Sequence, residues 1–120
     1  MILANEIREG IYLEYENNGI SVKIIGFKDG ICYYNSSCYS KIESMTPIPL
    51  TEDILLKCGF DKHEYQYIIE YCINSFKLRY IKKNKKYVYH TGFRNIEKRY
   101  LHQLQNIYLD LEEKELEVNL

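Results

Sequence analysis

Apolar and polar residues alternate in short runs through the first 46 positions of the chain. A period of two is typical of half-buried β-strands, because successive side chains of a strand lie on opposite faces. We predict four strands, at 10–16, 20–27, 31–34 and 39–45. Asn17, Asn18 and Gly19 and then Asp29 and Gly30 form the first two turns, since such residues tolerate the positive φ angles of tight hairpins. With a further loop at 35–37, this pattern predicts an antiparallel β-meander or a small SH3-like barrel.

The alternation stops at Pro47 and Pro49, because proline cannot donate a hydrogen bond to a β-ladder. Thr51 then fits the N-cap of a short helix that has acidic residues in its first turn, and Gly59 fits the C-terminal end of that helix. We therefore predict a β-lobe at 1–46 and an α+β lobe at 47–120 within a single compact domain.

Alternation returns at 64–93 and predicts two or three further strands. In the first of these strands, Tyr65 and Tyr67 are expected on the same face as Ile69 and Tyr71. A hairpin with a lysine-rich tip at 82–86 follows.

A turn around Asn84 and Lys85 would place Tyr80 opposite Tyr89 in this hairpin. One face is then aromatic and apolar, with Phe76, Leu78, Tyr80, Tyr87 and Tyr89. The other face is basic, with Lys77, Arg79, Lys86 and His90.

The last third of the chain changes to a helical period. Apolar residues recur at helical spacing at Ile96, Tyr100, Leu104, Ile107, Tyr108 and Leu111. We predict an amphipathic helix capped by Asn95, followed by an edge strand at 115–118. The polar face of the helix would carry Arg99, His102, Gln103, Asn106 and Asp110. The complete pattern predicts an α+β fold: a β-rich N-terminal part, a short helix, an antiparallel hairpin and a C-terminal helix.

Composition narrows the class of protein. A length of 120 residues suits one domain, and no apolar run approaches the ~20 residues that a membrane helix needs. The N-terminus has no basic segment followed by a long apolar one, so we expect a cytoplasmic protein with no membrane partner. The four cysteines are spaced unlike zinc ligands, and we expect reduced thiols.

Charge is unevenly distributed. Positions 77–99 hold nine basic residues and one acid, a net charge of +8, whereas the whole chain has a net charge of −1. A basic hairpin with interleaved tyrosines can bind phosphates by charge and bases by stacking. A lysine-rich tip can equally be a solvated turn that prevents sheets from pairing at their edges. Both interpretations stay open.

The amides of the C-terminal helix also have two interpretations. Residues three and four apart share a helix face, so His102, Gln105 and Asn106 are neighbours. Their amides can bind a base edge or a peptide strand, or they can satisfy backbone groups of an adjacent sheet. The sequence shows no nucleophile–base arrangement, no phosphate-binding glycine loop and no metal-ligand spacing among its histidines. We therefore expect no enzymatic activity, no cofactor and no metal.

Two segments resemble motifs of a known family. Residues 47–60 are similar to a motif of the form PIPLTE…LLKxGF, and residues 100–108 with Glu115 and Leu116 are similar to a motif that contains HQLQN…EEL. Ile54 stands where the first motif has an aromatic residue, and Cys58 stands where it has phenylalanine. Together the segments resemble a family of small uncharacterised proteins of Bacteroidetes-type genomes, prophages and mobile elements. The resemblance implies a mobile-element context and a cytoplasmic site of action.

We predict a binding module of a phage or mobile element. Its partner is a host or defence protein, or a small anionic ligand of nucleotide type. The alternatives are a single-stranded nucleic-acid-binding protein and a structural or assembly protein that forms homo-oligomers. The candidate ligand-binding residues are Lys77, Arg79, Lys82, Lys83, Lys85, Lys86, Tyr87, His90, His102, Gln103 and Asn106.

Overall fold

The structure, a computed structural model, describes residues 2, 4–15, 19–34, 38–90 and 95–120. It confirms the α+β class: the described strands form antiparallel sheets, and two α-helices accompany them. The strands are β1 (Tyr12–Tyr15), β2 (Ser21–Lys23), β3 (Gly26–Lys28), β4 (Ile31–Tyr33), β5 (Tyr39–Lys41), β6 (Met45–Thr46), β7 (Asp61–Glu64), β8 (Ile68–Ile73), β9 (Phe76–Ile81), β10 (Lys86–His90) and β11 (Asn95–Glu97). The α-helices are α1 (Glu52–Lys57) and α2 (Leu101–Glu112).

The N-terminal part contains two three-stranded sheets, in the orders β2-β1-β6 and β3-β4-β5. The single strand predicted at 20–27 is wrong, because the chain changes sheets at its middle. Ile24 exchanges backbone hydrogen bonds with the β1 side, at Ile11 and Gly10, whereas the amide of Ile25 donates to Tyr33 of β4. Ile24 is fully buried where the chain crosses from one sheet to the other. The alternation of apolar and polar residues therefore continues through this point, although the hydrogen-bonded ladder breaks there.

The strand predicted at 39–45 is also two strands. A 3-10 turn at Ile42–Ser44 separates β5 from β6 and directs β6 to the edge of β1. The turn at Asp29 and Gly30 is confirmed, with φ angles of 52° and 77°. Three predicted features lie outside the described residues: the turn residues Asn17 and Asn18, the loop at 35–37, and the end of the return strand at 91–93.

Helix α1 forms as its capping residues predict. The Thr51 hydroxyl accepts a hydrogen bond from the amide of Ile54 at 3.2 Å, which satisfies one of the free amides of the first turn. Gly59 follows the helix with φ of 90°, and the amide of Phe60 then donates back to Leu55 at 3.2 Å. This left-handed glycine ends the helix and turns the chain into β7.

The larger sheet has the order β11-β10-β9-β8-β7. The prediction of two or three strands at 64–93 missed β7, whose four residues are exposed and show no apolar alternation. Tyr65 and Tyr67 lie in the loop between β7 and β8, so their placement within a strand is wrong. The hairpin register also differs, because Tyr80 pairs with Tyr87 and not with Tyr89. A shift of two residues leaves every side chain on its predicted face.

Helix α2 begins at Leu101, six residues beyond the predicted cap. Asn95 instead begins β11, which pairs with β10. The predicted edge strand at 115–118 is wrong, because this segment joins no ladder among the described strands. It instead runs as an irregular tail in which Leu116 is buried and Glu115 forms an ion pair with Arg8 at 2.7 Å.

Two clusters of buried side chains form the described core. One lies in the N-terminal part, around Ile11, Leu13 and Ile24. The other lies between the five-stranded sheet and both helices, around Leu78 and Leu104. The division into lobes at residue 46 stays a prediction, and the two clusters are consistent with it.

Candidate anion-binding surface

Two loops at one end of the five-stranded sheet bring tyrosines and lysines together. We call this surface the sheet end; it comprises the loop Tyr65, Gln66 and Tyr67 between β7 and β8, and the loop Lys82, Lys83, Asn84 and Lys85 between β9 and β10. Lys82 joins the loops, because its Nζ atom donates to the Tyr65 carbonyl at 2.7 Å and its amide donates to the Tyr67 carbonyl at 3.2 Å. The loops therefore form one surface.

The lysine loop is closed by local backbone geometry. Ile81 and Lys86 are paired across the hairpin, and the amide of Lys85 donates to the Ile81 carbonyl at 2.8 Å. Lys85 has φ of 55°, a left-handed conformation that lets the four-residue loop return to the ladder. Lys83, Asn84 and Lys85 are thereby held outside the sheet and exposed.

The lysines of this loop differ in whether an acid neutralises them. Lys82 forms an ion pair with Glu64 at 3.0 Å, and this contact lowers the pKa of the Glu64 carboxyl. Lys83 and Lys85 form no ion pair with any described residue. Two ammonium groups thus remain available to an anion.

The tyrosine loop supplies exposed aromatic surface. Tyr65 is 54% exposed and Tyr67 is 73% exposed, although large aromatic residues usually cover apolar surface. Neither ring packs against another described aromatic ring. The rings can therefore contact a ligand without leaving a packed position.

A cleft of about 370 Å³ extends the basic surface around the hairpin. Its lining includes four cationic residues and one acid: Lys85, Lys86, Lys98, Arg99 and Glu97. Arg99 Nε lies 2.9 Å from Glu97 Oε2, and this hydrogen bond lowers the pKa of the Glu97 carboxyl. Lys98 forms no ion pair within the described part of the chain, so the cleft keeps excess positive charge.

Other predicted site residues lie elsewhere. Lys77 and Arg79 are on the outward face of β9, where Glu70 approaches them at 3.9 Å and 3.3 Å. His90 is at the far end of β10, with its Nδ1 atom 2.7 Å from the Asn95 side chain. Tyr87 lines the cleft, but its ring lies on the core face and packs against Tyr80 at 4.8 Å. The structure therefore brings together only Lys82, Lys83, Lys85 and Lys86 of the predicted basic set, with Tyr87 beneath them.

The polar face of α2 is not a free surface. His102 is 1% exposed, and its Nε2 atom lies 3.2 Å from a carboxylate oxygen of Glu6. Burial lowers the pKa of His102, an effect that Glu6 partly opposes. The carbonyl oxygen of the Gln103 side chain accepts from the amides of Arg99 and Tyr100, at 3.1 and 3.3 Å. This bond caps the start of the helix.

Asn106 and Gln105 hold the N-terminal segment to the same helix. Asn106 donates to the Glu6 carbonyl at 3.0 Å and accepts from Arg8 Nε at 2.6 Å. Gln105, which is 1% exposed, accepts from the amide of Tyr12 at 2.9 Å and donates to the Gly10 carbonyl at 3.0 Å. The interpretation of these amides as partners of adjacent backbone is therefore confirmed, and His102, predicted on the polar face, is buried.

Several residues of this surface are not among the predicted site residues. The alternation that continues into β8 predicts Tyr65 and Tyr67 within a strand, and the helical period predicts Arg99 on the polar face of the C-terminal helix, whereas both tyrosines lie in a loop and Arg99 precedes α2. One signal in the sequence distinguishes the two tyrosines from the strand that follows them. The apolar pair Ile68 and Ile69 comes directly after Tyr67, and the alternation restarts at this pair.

The chain matches no known protein-family model, no curated protein and no solved structure. Among the residues that the structure describes, no group of three or more His, Cys, Asp or Glu side chains could hold a metal ion. No helix in the described ranges has both the length and the apolar character needed to cross a membrane.

Proposed function

We propose that this protein is a non-enzymatic binding module that holds an anionic, nucleotide-type ligand at the sheet end. One observation supports the proposal above others: the exposed rings of Tyr65 and Tyr67 lie in a loop hydrogen-bonded to the lysine loop. The two groups match the two parts of a nucleotide, because a base can stack on a tyrosine ring and a phosphate is attracted to a lysine ammonium group.

The expected energies are consistent with a binding role. Stacking of a base on an aromatic side chain contributes about 1–3 kcal/mol. An exposed charge pair contributes only about 0–1 kcal/mol, so Lys83 and Lys85 gain strength mainly by acting on one phosphate together. The adjoining cleft, with Lys86, Lys98 and Arg99, offers room for a second anionic group.

The resemblance to proteins of prophages and mobile elements supports a cytoplasmic role in a phage or mobile element. In that setting the second candidate partner is a host or defence protein. The exposed tyrosines favour it too, because tyrosine and arginine are enriched where proteins bind each other. The homo-oligomer alternative is disfavoured at β7, since Asp61, Lys62, His63 and Glu64 make that sheet edge charged.

Calorimetric titration with a nucleoside triphosphate, inorganic triphosphate and an uncharged nucleoside tests the proposal. The triphosphate nucleotide is expected to bind more tightly than either of its parts. Lys83→Ser with Lys85→Ser is expected to weaken its binding about tenfold, which corresponds to about 1.4 kcal/mol.

Lys114→Ser is the matched control, since Lys114 is exposed and forms no ion pair with a described residue. This variant is expected to bind as the unaltered protein does. Equal losses in the control and the loop variant, or the absence of nucleotide binding by the unaltered protein, contradict the proposal. Capture of a host protein that depends on Tyr65 and Tyr67 would favour the second candidate.

A further inference from the structure

The sheet β3-β4-β5 has one face on the N-terminal core and one face turned away from it. Phe27, Cys32 and Ser40 form a row across the three strands on the core side, where Cys32 is fully buried. Because side chains alternate along a strand, the rows on either side of this one belong to the outward face. These rows are Gly26, Tyr33 and Tyr39, and Lys28, Ile31 and Lys41.

The first outward row forms an aromatic shelf. Tyr33 is 38% exposed and Tyr39 is 64% exposed, and their ring centroids are 6.0 Å apart with an interplanar angle of 43°. Gly26 continues the row without a side chain, and a Cβ atom placed there would meet no atom within 4 Å. Open space therefore lies beside the two rings.

The second outward row carries positive charge. Lys28 and Lys41 are exposed, and neither forms an ion pair with a described residue. Ile31 lies between them in the register. Neither outward row contains an acid, and the nearest acids along the chain, Asp29 and Glu43, lie in the flanking turns.

The spacing of the two rows suits a nucleotide strand. Positions two residues apart on a strand are about 7 Å apart, which is close to the separation of a base from its backbone phosphate. Bases placed on the tyrosine row therefore bring phosphates near the lysine row. A four-stranded or barrel sheet that binds single strands uses the same pairing of aromatic and basic residues.

We propose that this outward face is a binding site for single-stranded nucleic acid, separate from the sheet end. Bases stack on Tyr33 and Tyr39, and phosphates contact Lys28 and Lys41. The charges favour this occupant over a second copy of the chain, since neither outward row offers an acid that could pair with the lysines of another copy. An acidic peptide would use the lysines but would leave the shelf beside Gly26 unfilled.

Fluorescence anisotropy with a labelled single-stranded oligonucleotide of about six nucleotides, at about 50 mM salt, tests this site. Tyr33→Ala with Tyr39→Ala is expected to reduce affinity at least tenfold. Lys28→Ser with Lys41→Ser is expected to make the slope of log affinity against log salt shallower by about 1.4. Because all four side chains are half-buried or exposed on the outward face, the variants are expected to fold, and circular dichroism verifies this.

Tyr65→Ala with Tyr67→Ala is the matched control, since it removes two exposed tyrosines from the sheet end. Unchanged affinity in the Tyr33 and Tyr39 variant overturns the proposed face. If the control variant alone loses affinity, the oligonucleotide binds at the sheet end, and the proposed function stands without this site. If an oligoglutamate peptide binds as tightly as the oligonucleotide and is equally weakened by the lysine variant, the ligand class is overturned.

Discussion

Two polar regions of this protein differ in whether their side chains are enclosed by the fold or exposed. The helix face that carries His102, Gln103, Gln105 and Asn106 is enclosed, and its side chains bond to Glu6, Gly10, Tyr12 and the two residues that precede α2. The sheet end carries Lys83, Lys85, Tyr65 and Tyr67 and encloses none of them. One region stabilises the fold, and the other leaves its polar groups unused.

The difference follows from what each region lies against. A helix that packs beside a strand edge meets free amides and carbonyls, and short amide side chains satisfy both kinds of group at once. In the sheet end, Lys82 bonds to backbone carbonyls of the tyrosine loop, whereas Lys83 and Lys85 extend beyond the last ladder pair and are exposed. A cluster of polar side chains therefore indicates a binding surface only where no unpaired backbone amide or carbonyl group lies within hydrogen-bond distance of it.

Gln105→Leu is the most severe test of this contrast. It leaves the Tyr12 amide and the Gly10 carbonyl, both partly buried, without their partner, and an unpaired group that water cannot reach costs about 1–3 kcal/mol. We expect the free energy of unfolding, measured by urea denaturation, to fall by about 2–4 kcal/mol. Gln66→Leu is the control, because Gln66 is exposed, and a comparable loss there would show that the contrast is wrong.

His102 is expected to make stability depend on pH. Its pKa is lowered in the folded protein by burial, so the unfolded chain binds the proton more readily. The stabilisation is complete above the ordinary histidine pKa of 6.5 and decreases as pH falls below it. Thermal unfolding should therefore show a melting temperature that decreases from about pH 7 to about pH 5.5, and His102→Gln should flatten that decrease. A slope unchanged in His102→Gln would assign the dependence to other groups.

Lys83→Ser should give the smallest effect. Lys83 is exposed and forms no ion pair with a described residue, so its replacement is expected to change stability by less than about 0.5 kcal/mol. Urea denaturation measures this. A loss above about 1 kcal/mol would mean that the lysine loop is part of the fold and not a free surface.

Local signals predicted much of the architecture. The Thr51 cap, the Gly59 stop and the Asp29–Gly30 turn each depend on residues close along the chain, and each is observed. The aromatic face of the hairpin was also predicted, because faces depend only on the parity of the register.

The remainder depends on contacts between distant residues. The change of sheets at Ile24 and the charged strand β7 leave no mark on local alternation, since backbone pairing with other strands decides them. The start of α2 is fixed by Ile48, whose carbonyl accepts from the amide of Leu101. In the candidate site, the basic residues were predictable from charge, but their tyrosine neighbours were not, because two loops had to meet.

The bond between Gln105 and the N-terminal segment has a consequence for biosynthesis. Tyr12 precedes Gln105 by 93 residues, so the ribosome exposes the β1 region long before its side-chain partner exists. Domains generally fold as units during translation, and contacts distant along the chain form slowly. We therefore expect the nascent N-terminal part to keep an open edge until Gln105 has emerged, and a ribosome stalled before Gln105 to hold an incomplete intermediate prone to aggregation.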